Sequence, residues 1–573
     1  MLRNVTKRKQ NCEREFDQNA IFIIVLAIEK FFTFLYDFSN KKLMKSKTVH
    51  GNGHILNTTK NEIFLYDRKL KKNSCTNVWF FFPGPESFAM SSLGYLWLFK
   101  ELDEQDNIDV ERVYADSKTT RIMRDKIDAV GISISFDMDF LAIFEFLEKN
   151  KFNFKTHERN ESDPFIFAGG PVITSNPAPY KEFFDFMIIG DGEGVNTEAI
   201  NTIEKLKAQG KTKSEVLQCL SKLEGVYVPD CHKSVVKRTQ KLSQCIYTPI
   251  ISDKSFFPDT FIIEVERGCA NRCGFCIASY INLPIRFADY DEIISNIEAG
   301  LKVTNKIALL GAQVTAHPKF YDICKYIENK IDNGQNIQMS ISSLRIDAFT
   351  PEIVNILVKA GQNSLTLAIE AGSERLRRFV NKNITEEQIM AAIDTAVTGG
   401  LKGIKIYGML GIPTETKEDI DEIIRLAKQI KAKYKGFSLS FGFSTFVPKA
   451  NTPFQWFGRD NEKSLSDKEK YLRKELHKIG VQINVSSPKW DYYQAVLSRG
   501  DEKLSDYMIH VYKGGGKIGA FRKTAKDLNI NTDYYAAENY DETKPLPWDF
   551  IDIKPGKEFL INEKNRLMNY SGR

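Results

Sequence analysis

Histidine and cysteine are scarce in this 573-residue chain, with seven of the first and nine of the second. Six of the cysteines, Cys12, Cys75, Cys219, Cys231, Cys245 and Cys324, are scattered without any framework spacing. That excludes a disulfide-stapled fold and suits a reducing, cytoplasmic compartment where thiols stay free. An apolar run of membrane-spanning length is also missing. The segment Ala20 to Phe38 follows a basic start (Arg3, Lys7, Arg8, Lys9), but its unbroken apolar stretch stops at Ile28, before Glu29 and Lys30. A spanning helix needs roughly 20 such residues, and no small-residue cleavage site follows. The segment reads as a docked or poorly ordered N-terminal extension, with a membrane-surface helix as the competing reading. No clear membrane partner emerges. An excess of one charge is absent as well: 80 Lys and Arg against 74 Asp and Glu leave a net charge of +6, which neither demands nor excludes nucleic acid.

No G-x-G-x-x-G follows the first buried strand, where "PGPESFAMSSLG" stands instead, so the dinucleotide fingerprint is lacking and a nicotinamide cofactor is not expected. What is present is alternation. The runs "NVWFFFP", "DAVGISIS", "PFIFAGG" and "DFMIIGDGEG" read as buried strands, with helices at "SSLGYLWLFKELDE" and "DFLAIFEFLEKN". Buried strands alternating with helices imply a doubly wound parallel sheet. Ligands in such sheets bind beyond the carboxyl ends of the strands, where Gly169, Gly170, Gly190, Gly192 and Gly194 fall, and glycine lets backbone approach a ligand closely. Tight turns are the competing reading of these glycines.

After a polar linker the alternation resumes. "TFIIEVERGC", "NKIALLGAQ", "IQMSISSLRID", "NSLTLAIEAG", "LKGIKIYGMLG" and "GFSLSFGFSTFVP" read as six strands, each followed by a helix or turn. Six units make a partial (β/α)6 barrel of the TIM type, short of the eight of a closed one, with the strand tips on one face. Thr350 before Pro351 and Thr385 before Glu386 are helix-start signals. The expected organisation is an α/β chain: an N-terminal extension over 1–76, a doubly wound domain over 77–240, the partial barrel over 255–452 and a small α-rich C-terminal region over 453–573.

The remaining three cysteines, Cys269, Cys273 and Cys276, stand together in "ERGCANRCGFC" at the tip of the first barrel strand. A structural zinc site takes four protein ligands, usually as two pairs, and neither His232 nor His317 stands at finger spacing. A protein-held iron–sulfur cube takes four cysteines. Three leave one iron without a protein ligand, and an open metal position marks a catalytic site.

The C-x3-C-x2-C spacing, with the aromatic Phe275 before the last cysteine, resembles the signature of the radical S-adenosylmethionine (SAM) superfamily. "SSLRID", "LAIEAGSERLRRFVNK" and "KIYGMLGIPTET" resemble later strand-tip segments of members that carry a cobalamin-binding-like domain in front, and the tail resembles one uncharacterised branch with a C-terminal extension. The resemblance implies a [4Fe–4S] cluster on Cys269, Cys273 and Cys276, SAM as co-substrate, and reductive cleavage of SAM to a 5′-deoxyadenosyl radical. It also implies cobalamin on the front domain at Gly169, Gly170 and Gly192, methyl transfer to an unactivated carbon, and a reductant protein of flavodoxin or ferredoxin type. By the same resemblance Phe275 lies against the adenine, Glu370 and Ser373 reach the ribose or the methionyl end, and Arg345 meets the SAM carboxylate. Gly408, Gly411 and Glu415 fall where the family has a glycine-rich strand backing the adenine.

Two departures stand out. Where the family has a Gly-Gly-Glu-like segment for the methionyl amine, this sequence has "LLGAQVTAHP": Gly311 is kept, but Gln313 supplies no carboxylate. And "PGPESFAMSSLG" lacks the cobalt-ligating histidine of many cobalamin domains. The alternatives are radical SAM chemistry on RNA, protein or a small molecule with the front domain as a scaffold, and a non-catalytic iron–sulfur carrier, which would need no barrel.

Overall fold

The computed structural model describes residues 62–572 apart from 70, 72–74, 232, 243, 342 and 343 and the side chain of Asp347. The apolar segment at Ala20–Phe38, Cys12 and His232 lie outside the described residues. The front domain is a six-stranded sheet in which Ile108–Tyr114, Thr76–Phe82, Ala129–Ser133, Phe165–Gly169 and Phe186–Ile188 run parallel in that order, with Val226–Tyr227 antiparallel at the edge. Thr76–Phe82 is central because nearly every side chain in it is apolar and has a face to fill. Trp79 and Phe81 join the core under helix Phe140–Lys149, while Val78, Phe80 and Phe82 join the core under helices Leu93–Asp103 and Val195–Ala208. Both sheet faces are covered, the hallmark of a doubly wound fold.

Two strands of this sheet escape the sequence reading. Ile108–Tyr114, "IDVERVY", is an edge strand whose alternation of buried and half-buried residues lacks the continuous apolar run of its neighbours. Val226–Tyr227 is two residues long.

The second unit has its parallel strands in two sheets, Thr260–Glu264, Lys306–Leu310 and Gln338–Ile341 in one, and Ser364–Glu370, Gly403–Leu410, Ser438–Thr445 and Gln482–Val485 in the other. Outward residues of these strands pack under the helices, which start where the caps direct: the Thr350 and Thr385 hydroxyls accept the Ile353 and Gln388 N–H groups. The parallel array does not stop at six. Helix Glu462–Lys478 leads into a seventh strand, Gln482–Val485, paired with Ser438–Thr445. That strand alternates exposed and buried positions in a polar stretch, so hydrophobicity does not flag it.

The C-terminal helices are built into the front domain. Helices Pro488–Ser498, Leu504–Lys513 and Ile518–Asp527 share one core with Phe140, Phe144, Tyr180 and Phe183. At the carboxyl ends of the front sheet the buried Asp137 accepts from Lys449 Nζ at 2.7 Å and from Gln494 Nε2 at 3.2 Å, and Asn176 donates to the carbonyls of Ser498 and Gly500. The crevice end of the doubly wound sheet is thus a docking surface for the rest of the chain.

Candidate active site

The cysteine loop leaves the first barrel strand through a two-residue ribbon, Glu266–Arg267 paired antiparallel with Arg286–Phe287. Gly268 (φ +92°) closes its neck, since a Cβ there would stand 2.6 Å from the Asn282 carbonyl oxygen. Beyond the neck the loop is tied on every side. Gly274 N–H donates to Val380 O (3.1 Å), Phe454 N–H to Gly274 O (2.9 Å), the Tyr280 hydroxyl to Arg272 O (2.9 Å), and Asn381 Nδ2 to Asn271 O (2.7 Å) and Arg272 O (3.0 Å). Gly274 has no room for a side chain: a Cβ would meet the Phe454 ring at 2.6 Å.

Cys269 and Cys273 are buried and Cys276 half-buried. Burial pushes the Cys273 thiol up to about 12, with Lys382 acting in the opposite sense. Among the described residues no three potential ligands are gathered tightly enough for a single metal ion. Cys273 Sγ lies 4.0 Å from the Asn381 carbonyl oxygen, and the next residue, Lys382, places Nζ 3.3 Å from Glu370 Oε1. Glu370 ends the fourth strand at an irregularity, where the register steps from Ala368 opposite Tyr407 to Glu370 opposite Gly408. Its backbone is left-handed (φ +66°), its side chain is 1% exposed, and Oε2 has no hydrogen-bond partner among the described residues. A strained non-glycine backbone holding a buried carboxylate that is paired with Lys382, whose ammonium in turn feels Cys273 and Cys276, marks a functional site.

The radical SAM superfamily profile matches residues 263–427, and the profile described as "Radical SAM proteins, N-terminal" matches 94–229. An uncharacterized protein of Methanocaldococcus jannaschii is 32% identical over 454 residues, 78% of this chain and 94% of its own length. The chain belongs to the radical SAM superfamily. An uncharacterized methyltransferase of Pyrococcus horikoshii is 25% identical over 48% of this chain and 60% of its own length, and a tRNA-2-methylthio-N(6)-dimethylallyladenosine synthase of Fusobacterium nucleatum is 27% identical over 47% and 62%. The radical SAM methyltransferase TsrM of Kitasatospora setae, solved with tryptophan and a SAM analogue, superposes over 66% of this chain and 74% of its own with a TM-score of 0.47 and 12% identity. Membership makes the chain a radical SAM enzyme and implies SAM and a [4Fe–4S] cluster. The three thiols of one loop, two buried and one half-buried, with no fourth cysteine in it, fit that cluster.

The other residues singled out by the resemblance have definite places. Phe275 packs on the apolar cluster of Leu376, Phe379, Met409 and Phe454. Arg345 Nη1 donates to Asn271 Oδ1 inside the cysteine loop, and Asn271 Nδ2 donates to Gln313 Oε1 at 2.7 Å. Ser373 is engaged as a helix cap, accepting from Leu376 N–H and donating to Asp419. Gly411 (φ +74°) makes a turn whose N–H donates to Glu415 Oε2 at 2.8 Å, and Lys468 holds Glu415 at 2.7 Å. Gly408 makes room for the Phe443 ring.

In the front domain the candidate cofactor glycines have protein neighbours. A Cβ on Gly170 (φ +107°) would strike Ile134 O at 2.5 Å, and one on Gly192 would meet Asn196 Nδ2 at 2.8 Å. One on Gly190 would strike Arg238 O at 2.1 Å, whereas Gly169 would meet only Ile188, at ordinary contact distance. The loop carrying Gly192 is pinned to the barrel by Asp191, which takes Arg267 at 3.0 Å and also Arg286.

One residue was missed by the sequence reading. Glu266 is 1% exposed, Oε2 accepts Gln313 N–H at 2.7 Å, and Oε1 has no hydrogen-bond partner among the described residues. Gly311 exists for it: a Cβ there would stand 2.6 Å from Glu266 Oε2. Burial pushes the Glu266 carboxyl up to about 7, against the N–H groups of Gln313 and Ala312. So a carboxylate does stand at the tip of the second strand, supplied by the first. Only its place ahead of the cysteine motif could have pointed to it.

Proposed function

We propose that this radical SAM enzyme cleaves SAM reductively at the Cys269–Cys276 loop and uses the radical on a carbon of its substrate, with the doubly wound domain acting as a scaffold. The observation that carries this reading is the three-cysteine loop with the buried Glu370–Lys382 pair, whose ammonium feels Cys273 and Cys276. Cys269, Cys273 and Cys276 would hold a [4Fe–4S] cluster, which would supply the electron for reductive cleavage of SAM. The chain's own residues bind and shield. Glu370 and Glu266, each with one oxygen that has no partner among the described residues, accept the methionyl ammonium; Arg345 faces the carboxylate end from beside Asn271, by the bidentate preference of guanidinium. Phe275 offers its ring to the adenine. Lys382 balances thiolate charge. Burial of Cys269 and Cys273 excludes water from the reacting centre. A flavodoxin- or ferredoxin-type protein in the cytoplasm supplies the electron.

The test is release of 5′-deoxyadenosine from SAM by anaerobically reconstituted, dithionite-reduced protein. A carrier would release none. The scaffold role is favoured by Asp137, Asn176 and Asp191 at the crevice end, all bonded to the barrel or the C-terminal helices. The name of the Pyrococcus horikoshii relative supports methyl transfer as a second reading, for which cobalamin on the front domain would be the carrier. Stoichiometric retention of hydroxocobalamin through gel filtration would favour it over the scaffold.

A further inference from the structure

The inner wall of the barrel divides into a filled half and an open half. On the first two strands the inward residues Ile262, Ala308 and Leu310 are buried against Leu93 and Trp97 of the front domain. On the fourth to sixth strands the outward set, Leu365, Leu367, Ile404, Ile406, Leu439 and Phe441, lies in the core under the helices. The residues between them therefore face inward. They form two registered rows, Thr366, Lys405 and Ser440 in one and Ala368, Tyr407 and Gly442 in the next. All but Gly442 are only half-buried.

Lys405 is the one charge in these rows. Its Nζ lies 4.7 Å from the centroid of the Tyr407 ring, and among the described residues no carboxylate pairs with it. Gly442 gives the pair its space, since a Cβ there would stand 2.6 Å from Tyr407 Cε1 and 3.3 Å from Lys405 Cε. A half-buried ammonium that among the described residues meets a ring face and no carboxylate is poorly compensated for its lost hydration. It is flanked by the Thr366 and Ser440 hydroxyls on neighbouring strands, about 5 Å to either side by sheet spacing. Gly408, which faces Glu370 in register, stands three residues further along, roughly 10 Å at the rise of a strand.

We propose that Lys405, with Thr366 and Ser440, is the anion subsite of the substrate pocket. A carboxylate or phosphate of the substrate sits on the Lys405 ammonium and accepts from the two hydroxyls, and the carbon to be attacked lies about 10 Å away at the level of Glu370, by strand rise. The assignment rests on the radical function proposed above.

Competitive acetylation tests it. Reconstituted protein is treated with acetic anhydride in chloride, inorganic phosphate or succinate at equal ionic strength, and modification of Lys405 is read by mass spectrometry against the exposed Lys470. Several-fold slower labelling of Lys405 in phosphate assigns a phosphate-bearing substrate, and in succinate a carboxylate-bearing one. Equal labelling in all three salts overturns the subsite. Ser440→Asp supplies an internal partner in register with Lys405 and should abolish protection, while Ser440→Asn should keep it; protection surviving in Ser440→Asp also overturns the proposal. Release of 5′-deoxyadenosine by the same preparation is scored separately. Its failure alongside intact protection would refute the radical function and leave the anion site standing.

Discussion

Arg267 stands two residues ahead of Cys269, yet its guanidinium is bonded to the front domain: Nη1 lies 3.0 Å from Asp191 Oδ1, and Nη2 2.7 Å from Glu193 Oε1. Nη2 also lies 2.7 Å from Glu264 Oε2 on its own strand. The cysteine loop is therefore positioned from both domains at once. Burial alone would raise the Asp191 carboxyl, but Arg267 and Arg286 outweigh it and hold it below the ordinary value.

Arg267→Met should uncouple the two domains. Removing one member of a buried charge group leaves the others uncompensated, at roughly 3–5 kcal/mol. Thermal unfolding should show a clear fall in Tm and iron analysis a reduced cluster content after reconstitution. An unchanged Tm would show that the network is decorative.

Cys269, Cys273 and Cys276 replaced together by Ala should abolish the uptake of about four iron and four sulfide per chain expected of a cubane. Cys324→Ala should not, because Cys324 is fully buried in the barrel core. Full iron retention in the triple variant would contradict the cluster assignment.

Lys382→Met should move the cluster's midpoint potential to a more negative value, read by EPR during a reductive titration. Burial disfavours the Lys382 ammonium, but Glu370, Cys273 and Cys276 hold it above its ordinary value, so it is the nearby positive charge that offsets added negative charge. Lys382→Arg should restore the potential. An unchanged potential in Lys382→Met would place the ammonium outside the cluster's field.

Glu266 should make stability pH-dependent. Its folded value, about 7, lies above the ordinary carboxyl value of 4.5, so the unfolded chain loses its proton first. Below the ordinary value there is no penalty; the penalty grows as pH rises to about 7 and is complete above it. Glu266→Gln keeps the acceptor for Gln313 N–H and should gain up to roughly 3 kcal/mol at pH 8 relative to pH 4, by the energy of a pK unit. Parallel stability curves for the two proteins from pH 4 to 8 would refute the buried-carboxyl account.

Local chemistry determined what the sequence could tell. Continuous apolar runs such as Val78 to Phe82 announce strands buried on both faces, Thr350 and Thr385 cap the helices they precede, and the C-x3-C-x2-C spacing is written within one loop. Each of these depends on neighbours a few residues away. Tertiary structure decided the rest, because the partners are far off in the chain. Nothing near Gly190 says that Arg238 will lie against it, and nothing near Asp137 names Lys449 and Gln494. The strand Gln482–Val485 reads as polar until Ser438–Thr445 pairs with it. Glu266 looks like a surface residue until Gly311 leaves room for its carboxylate and Gln313 donates to it. Which face of a strand points into the barrel, and hence that Lys405 stands inside it with no carboxylate partner among the described residues, is fixed only when the helices have covered the other side.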